Sequence, residues 1–188
     1  MPSRAHTSLG ILAGGRGLRM DGADKAFLFV EGKLQLQRVL DSMTAGFAQV
    51  LVSYNSDPPG DPRWSQLIWV KDQRENFQGP LAGLESLLSH ATTPWLLTVP
   101  VDMAWPSRRI AGTLLAGKGG RVIEDADGRQ PLIALWPVAR ALASVREALN
   151  RGDRAVHALT DTLNLEAVSV APMRIGNLNT AQDLERLP

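Results

Sequence analysis

Leu9-Gly10-Ile11-Leu12-Ala13-Gly14-Gly15-Arg16-Gly17-Leu18-Arg19-Met20-Asp21-Gly22-Ala23-Asp24-Lys25 is the stretch that decides the fold. Its first residues are apolar and read as a buried strand. After Leu12 the chain breaks into a loop with four glycines, two arginines and a closing lysine. Glycines let a backbone turn sharply and approach a ligand closely. Successive N–H groups in such a loop form a concave anion site. Arg19 and Lys25 beside it can neutralise a polyphosphate, Arg as a fork and Lys as a point charge. No Ser or Thr follows Lys25, so the loop is not a Walker A motif. It also departs from G-x-G-x-x-G, because Met20 stands where the third glycine belongs. A glycine-rich loop by itself is equally compatible with a solvated surface turn.

Outward from this loop, apolar segments of strand and helix type alternate. Thr7 to Leu12 is the first strand. Ala26 to Val30 is a short apolar and aromatic run ending at Glu31-Gly32. Leu36, Val39, Leu40 and Met43 recur at helical spacing, with Gly46 as the stop. Gln49 to Ser53 and Leu67 to Val70 are the next strands, separated by the loop Asp57 to Pro62. Gln78-Gly79-Pro80 introduces a helix carrying Leu81, Leu84, Leu87 and Leu88, with proline tolerated in its first turn. Trp95 to Pro100 is a fourth strand, and a helix is expected over Pro106 to Ala116. Arg121 to Ile123 and Pro131 to Trp136 read as strands joined by a polar turn, Glu124 to Arg129. Val138, Leu142, Val145 and Leu149 mark a helix ended by Gly152. A shorter helix around Ala155 to Leu163, a strand over Leu165 to Val170 and a terminal helix over Thr180 to Leu187 complete the chain. Strands that are nearly all apolar, alternating with helices, predict a mostly parallel sheet covered on both faces. The expected fold is a three-layer, doubly wound α/β domain with some antiparallel pairing in its second half.

The whole chain sets bounds on function. Its 188 residues suit one domain, and 44% hydrophobic with 21% charged residues is ordinary for a globular protein. A net charge of +1 gives no basic field for nucleic acid. The absence of cysteine excludes disulfides, thiolate metal sites and cysteine nucleophiles. No apolar run approaches the roughly 18 residues of a membrane helix, and residues 1–8 do not read as a secretory signal. These features lead to the expectation of a cytoplasmic protein without membrane or nucleic-acid partners. His6, His90 and His157 show no ligand spacing and read as structural.

In doubly wound folds ligands sit beyond the carboxyl ends of the strands. Three charged candidates converge there: the loop after Leu12, Asp72 after the third strand and Asp102 after the fourth. Asp102 can ligate magnesium, which uses one or two carboxylates plus substrate phosphates. It can equally cap a helix before Pro106. Asp72 can accept from ribose hydroxyls or guanine N–H groups, or be an exposed loop carboxylate. The helix start at Gly79 favours an anion, and Gly83 permits close approach.

Leu12-Ala13-Gly14-Gly15, Arg19-Met20 and Asp24-Lys25 together resemble the signature loop of nucleotidyltransferases that activate a phosphorylated acceptor. In detail they resemble the molybdenum cofactor guanylyltransferase family, or MobA-like nucleotidyltransferases. The resemblance continues through Gly79-Pro80-Leu81-Ala82-Gly83, Pro100-Val101-Asp102, Arg154 and Asn177-Leu178-Asn179-Thr180. It departs at Ser53-Tyr54-Asn55, where the family has Asn-x-Asn, and at Gln130-Pro131, where the family has His-Pro.

The resemblance implies transfer of GMP from GTP to the terminal phosphate of molybdopterin, with release of pyrophosphate. It implies Mg2+ as cofactor, held by Asp102. Arg19, Lys25 and Asp102 are then catalytic. Leu12, Ala13, Gly14, Gly15, Lys25, Ser53, Asn55, Asp72, Gly79 and Asp102 bind the nucleotide. Gln130, Arg154, Asn177 and Asn179 face the acceptor. The single domain would divide into a nucleotide-binding half, about 7–105, and an acceptor-binding half, about 106–188. Proteins of molybdenum insertion and molybdoenzyme maturation would be its partners. Two alternatives stand beside this reading. One is a relative using CTP or a sugar-phosphate acceptor; the other is a non-catalytic nucleotide-binding protein of the same fold.

Overall fold

The structure is a computed structural model and describes residues 1–14, 24–74, 79–178 and 183. The expected terminal helix lies outside the described residues except for Asp183.

The strands are β1 (Thr7–Leu12), β2 (Phe29–Val30), β3 (Lys33–Leu34), β4 (Gln49–Ser53), β5 (Ile68–Val70), β6 (Trp95–Pro100), β7 (Arg121–Asp125), β8 (Gly128–Pro137) and β9 (Glu166–Ser169). The helices are α1 (Gln35–Met43), α2 (Pro80–His90), α3 (Arg108–Leu115), α4 (Val138–Asn150) and α5 (Val156–Thr162). Seven strands form one sheet in the order β5-β4-β1-β6-β8-β7-β9, and β2 pairs with β3 in a separate hairpin. Neighbours in the main sheet are parallel except at β8, which is antiparallel to both β6 and β7. The mostly parallel, three-layer architecture expected from the sequence is therefore present, with its antiparallel pairing confined to one strand.

Every side chain of β1 is buried, as a central strand covered on both faces requires. On one face, Leu36, Val39, Leu40 and Met43 of α1 and Ile110, Ala111 and Leu114 of α3 pack against Leu9, Ile11, Leu97 and Val99. On the other, leucines of α2, with Val145 and Leu149 of α4 and Leu159 of α5, pack against Leu51, Leu96 and Trp136. Each helix buries the stripe that its 3.6-residue period sets out.

The apolar run after Lys25 resolves into two elements: Lys25–Phe27 is a 3-10 turn, and Phe29–Val30 is strand. The Asp24 carboxylate accepts the Ala26 N–H at 2.9 Å and stabilises that turn over an extended start. The polar stretch Glu124 to Arg129 is also mostly strand. Glu124 pairs with Arg129 and Asp125 with Gly128, leaving a two-residue turn of Ala126-Asp127. This end of the hairpin is held by a later segment, with Ala126 N–H donating to the Met173 carbonyl and Val170 N–H to the Glu124 carbonyl. Pro131 sits inside β8 where the register with β7 slips, so its missing N–H breaks no regular ladder.

Thr98 joins the parallel and antiparallel parts. Its hydroxyl donates to the Leu132 carbonyl at 2.9 Å and accepts from the fully buried Trp136 indole at 2.7 Å. Thr98→Val keeps the shape but leaves both groups without partners. A stability loss of about 1–3 kcal/mol is expected, read as a lower urea midpoint at unchanged slope. An unchanged midpoint would show that the junction does not depend on this hydroxyl.

Candidate nucleotide site at the carboxyl edge of the sheet

Because β8 alone runs backwards, the exits of β1, β4, β5, β6 and β7 and the start of β8 share one edge. Leu12, Lys25, Ser53, Asn55, Asp72 and Asp102 collect there. Leu12 lies in register between Ser53 of β4 and Pro100 of β6. Beyond it, Ala13 N–H donates to the Ser53 carbonyl and Val101 N–H donates to the Leu12 carbonyl, each at 3.0 Å. The three exits are thus stitched together one residue past the strands.

Lys25 reaches across this edge. Its ammonium lies 3.2 Å from Asp102 Oδ2, with the two side chains 16% and 25% exposed. Asp102 does not cap the following helix: Ser107 does, its hydroxyl accepting the Arg109 N–H. The turn that bears Asp102 is held from two sides. Gln35 of α1 donates to the Val101 and Met103 carbonyls. From the second half, Leu178 N–H donates to the Asp102 carbonyl at 2.7 Å, and Met103 pairs with Asn177. Asn177 is therefore brought beside Asp102, although the two lie far apart in sequence. Gly15, Arg19 and Asn179 lie outside the described residues.

A second cluster forms beyond β4 and β5. Asn55 Nδ2 donates to Asp72 Oδ2 at 2.9 Å, and Asp72 N–H donates back to Asn55 Oδ1 at 2.8 Å. The Ser53 hydroxyl and Asp72 Oδ1 are buried near each other and, among the described residues, neither has a hydrogen-bond partner of good geometry. Gly14 and Gly83 flank this cluster. A Cβ on Gly83 would stand 2.8 Å from Ser53 Oγ, so a side chain there would force a shift, and one on Gly14 would press on Asn55 Nδ2 at 3.3 Å. Gly79, at φ +72°, precedes Pro80 at the start of α2. Burial pushes the Asp72 carboxyl above its usual range; the Asn55 amide opposes this and the nearby Glu85 carboxylate adds to it. Glu85 itself is buried and forked by Arg74, at 2.7 and 3.2 Å. Tyr54, packed edge-on to Phe27 and Trp69, has its phenol pushed up to about 12 by burial and by the Asp24 carboxylate.

The residues expected to face the acceptor divide. Gln130 is at this edge, but its amide donates to Asp125 Oδ1 at 3.0 Å. Arg154 is exposed on the link between α4 and α5. The end of α4 meets the same edge, where Arg74 donates to Asn150 at 3.0 Å. Two anchoring residues had escaped the sequence reading. Asp125 is buried and accepts from the Ile175 and Asp127 N–H groups, each at 2.9 Å, as well as from Gln130. Burial raises its pKa, yet those donors and Arg174 together hold it below the ordinary value. Gln35 is the other; its signal was a polar side chain on the apolar stripe of α1.

The sequence pattern of the MobA-like NTP transferase domain matches residues 9–167. A molybdenum cofactor guanylyltransferase of Acidiphilium cryptum (strain JF-5) is 32% identical over 189 residues, covering 98% of this chain and 95% of the relative. The chain belongs to the molybdenum cofactor guanylyltransferase family. Another such enzyme, from Vibrio cholerae, is also 32% identical and covers 95% of this chain and 89% of its own. Membership makes this chain a nucleotidyltransferase. Among solved structures, molybdopterin-guanine dinucleotide biosynthesis protein A from Archaeoglobus fulgidus superposes with a TM-score of 0.75 at 22% identity, covering 96% of each chain. The 2-C-methyl-D-erythritol 4-phosphate cytidylyltransferase from Thermus thermophilus gives 0.69 at 19% identity over 95% of each. These two likenesses establish the fold.

Nucleotidyltransferases of this family generally use a divalent metal. Among the described residues no group of three or more His, Cys, Asp or Glu could hold one alone. A single partly exposed carboxylate instead suits a hard ion that takes its other ligands from phosphate and water. Among the described residues, no helix is long and apolar enough to cross a membrane.

The raised Asp72 carboxyl has a consequence for stability. It binds its proton more readily folded than unfolded, so the fold loses stability as pH rises through the interval between the two pKa values. Asp72→Asn removes the penalised charge. The variant is expected to melt above wild type at pH 7 and level with it below the carboxylate range. A constant difference across pH would show that the charge on Asp72 carries no such penalty.

Proposed function

We propose that this chain transfers GMP from GTP to the terminal phosphate of molybdopterin, releasing pyrophosphate. The observation that carries the proposal is the Lys25–Asp102 pair, 3.2 Å apart at the carboxyl edge of the sheet in a chain of this family. The triphosphate lies over Leu12, Ala13, Gly14 and Gly15, with Lys25 and Arg19 as its cationic partners. The guanine end lies toward Ser53, Asn55 and Asp72, where buried acceptors suit the N–H groups of the base. The start of α2 at Gly79 adds a partial positive charge nearby.

An oxygen of the acceptor phosphate forms the new bond to the α-phosphorus. The bond from that phosphorus to the bridging oxygen breaks, and its electron pair leaves on pyrophosphate. A phosphate monoester is largely a dianion at neutral pH, so no general base is required. The protein contributes alignment and neutralisation of the charge that gathers on the leaving group. Mg2+, taken as the divalent ion and held by Asp102, would supply further neutralisation of the triphosphate oxygens. The acceptor lies toward Asn177, Asn179, Arg154 and Gln130, in the half from about residue 106 onward. The backbone pairing of Asn177 with Met103, next to Asp102, supports its role on the acceptor side. Gln130 contributes through Asp125 and the segment that Asp125 anchors.

Turnover with GTP and with CTP, each with molybdopterin, tests the nucleotide. Acceptors buried in a guanine site are left unpaired by cytosine, so GTP should be preferred by several orders of magnitude. Equal turnover would leave a transferase of different nucleotide choice. Absence of pyrophosphate release with either would leave a binding protein. In the same assay, Asp102→Asn removes the ligand charge at constant size. Loss of ~4 kcal/mol of transition-state stabilisation lowers the rate about a thousandfold. Near-normal turnover would place the metal elsewhere.

A further inference from the structure

Gln35 is 1% exposed and opens α1. Its amide uses both hydrogens on backbone carbonyls, Val101 at 2.8 Å and Met103 at 2.7 Å. Those two residues flank Asp102. Only the NH2 end of an amide can face two carbonyl oxygens, so the side chain has one orientation. Its own oxygen accepts from Arg38 at 2.8 Å, and Arg38 also donates to the Ala104 carbonyl at 3.2 Å. The backbone N–H of Gln35 donates to the Leu28 carbonyl at 2.8 Å, at the end of the 3-10 turn that begins with Lys25. One residue therefore holds the turn that carries Lys25 through its main chain. It holds the turn that carries Asp102 through its side chain.

We propose that Gln35 is the positioning residue of the reaction, setting the separation of Lys25 from Asp102. Packing alone does not call for it: its neighbours on the buried stripe are Leu36, Val39, Leu40 and Met43, and an apolar side chain would fill the same place. What an apolar side chain could not supply is a pair of donors that fixes two carbonyls either side of one aspartate. The inference rests on the reading of Asp102 as the residue that holds the metal with the triphosphate. Misplacement of a reacting group by about 1 Å costs on the order of a hundredfold in rate. A loosened Asp102 should therefore act on turnover, and on the ion that it holds, ahead of the affinity for metal-free nucleotide.

The test compares Gln35→Met, which keeps length and loses the donors, with Leu40→Ala, which destabilises the same helix without touching the turn. The readouts are turnover, Mn2+ binding in the presence of GTP by calorimetry, GTP binding in chelator, and the melting midpoint. For Gln35→Met a fall in turnover of roughly a hundredfold and weaker Mn2+ binding of about tenfold are expected, with chelated-GTP affinity unchanged. Leu40→Ala should melt lower with turnover within about threefold of wild type, as expected when only packing is lost. Gln35→Met that merely melts lower, with normal turnover and ion binding, overturns the proposal. Arg38→Met, which frees the Gln35 oxygen and the Ala104 carbonyl, should shift the same readouts less and decides the matter if Gln35→Met does not fold. Asp102→Asn run alongside separates the two readings. Normal ion binding and turnover in that variant would remove the assignment of Asp102 and this proposal with it. A null result confined to Gln35 and Arg38 would remove only the latter.

Discussion

Strand β1 is buried along its whole length and is paired with β4 on one side and β6 on the other. A slip by one residue would send each of its side chains into the opposite helix layer, against neighbours of the wrong shape. That constraint fixes the point at which Leu12 gives way to the glycine loop. It also fixes the exits of β4 and β6 beside it, so Ser53 and Asp102 acquire their places from the core. Lys25 comes back to this edge because the turn that bears it is tied to α1, which packs on the same core. Site geometry is in this sense a by-product of sheet register.

Two kinds of polar burial meet at the edge. Around Asp125 the carboxylate is satisfied by three N–H donors, which outweigh its desolvation. Around Asp72 one oxygen is paired with Asn55, the other has no well-formed partner among the described residues, and desolvation prevails over the Asn55 and Ser53 side chains. The first arrangement suits an anchor. The second leaves hydrogen-bonding capacity that a ligand can take up, at a standing cost to the fold.

The apolar strands, the leucine stripe of α2 and the glycine loop were legible because short-range periodicity and composition determine them. So was the convergence of the loop, Asp72 and Asp102, since strand ends in a parallel sheet share an edge. What escaped depends on contacts between distant segments. The pairing of Asn177 with Met103 has no local signature, and neither does the attachment of Ile175 to Asp125. Gln35 was concealed by its helix, which scores as amphipathic whether or not one polar residue lies on the inner stripe. The 3-10 turn at Lys25 was hidden by the apolar character of the residues that follow it.

The register of β1 also bears on how the chain comes to be made. Ser8 pairs with Leu96, so one side of the central strand is completed by a segment roughly ninety residues further along. At about 5–20 residues per second of synthesis, β1 waits on the order of 5–20 seconds for that partner. During that interval Leu9, Ile11 and Leu12 have β4 on one edge and nothing on the other. A nascent chain in this state presents an apolar strand with an open edge, the kind of surface that chaperones bind and aggregates recruit. The same sheet that fixes the site makes its central strand late to be enclosed.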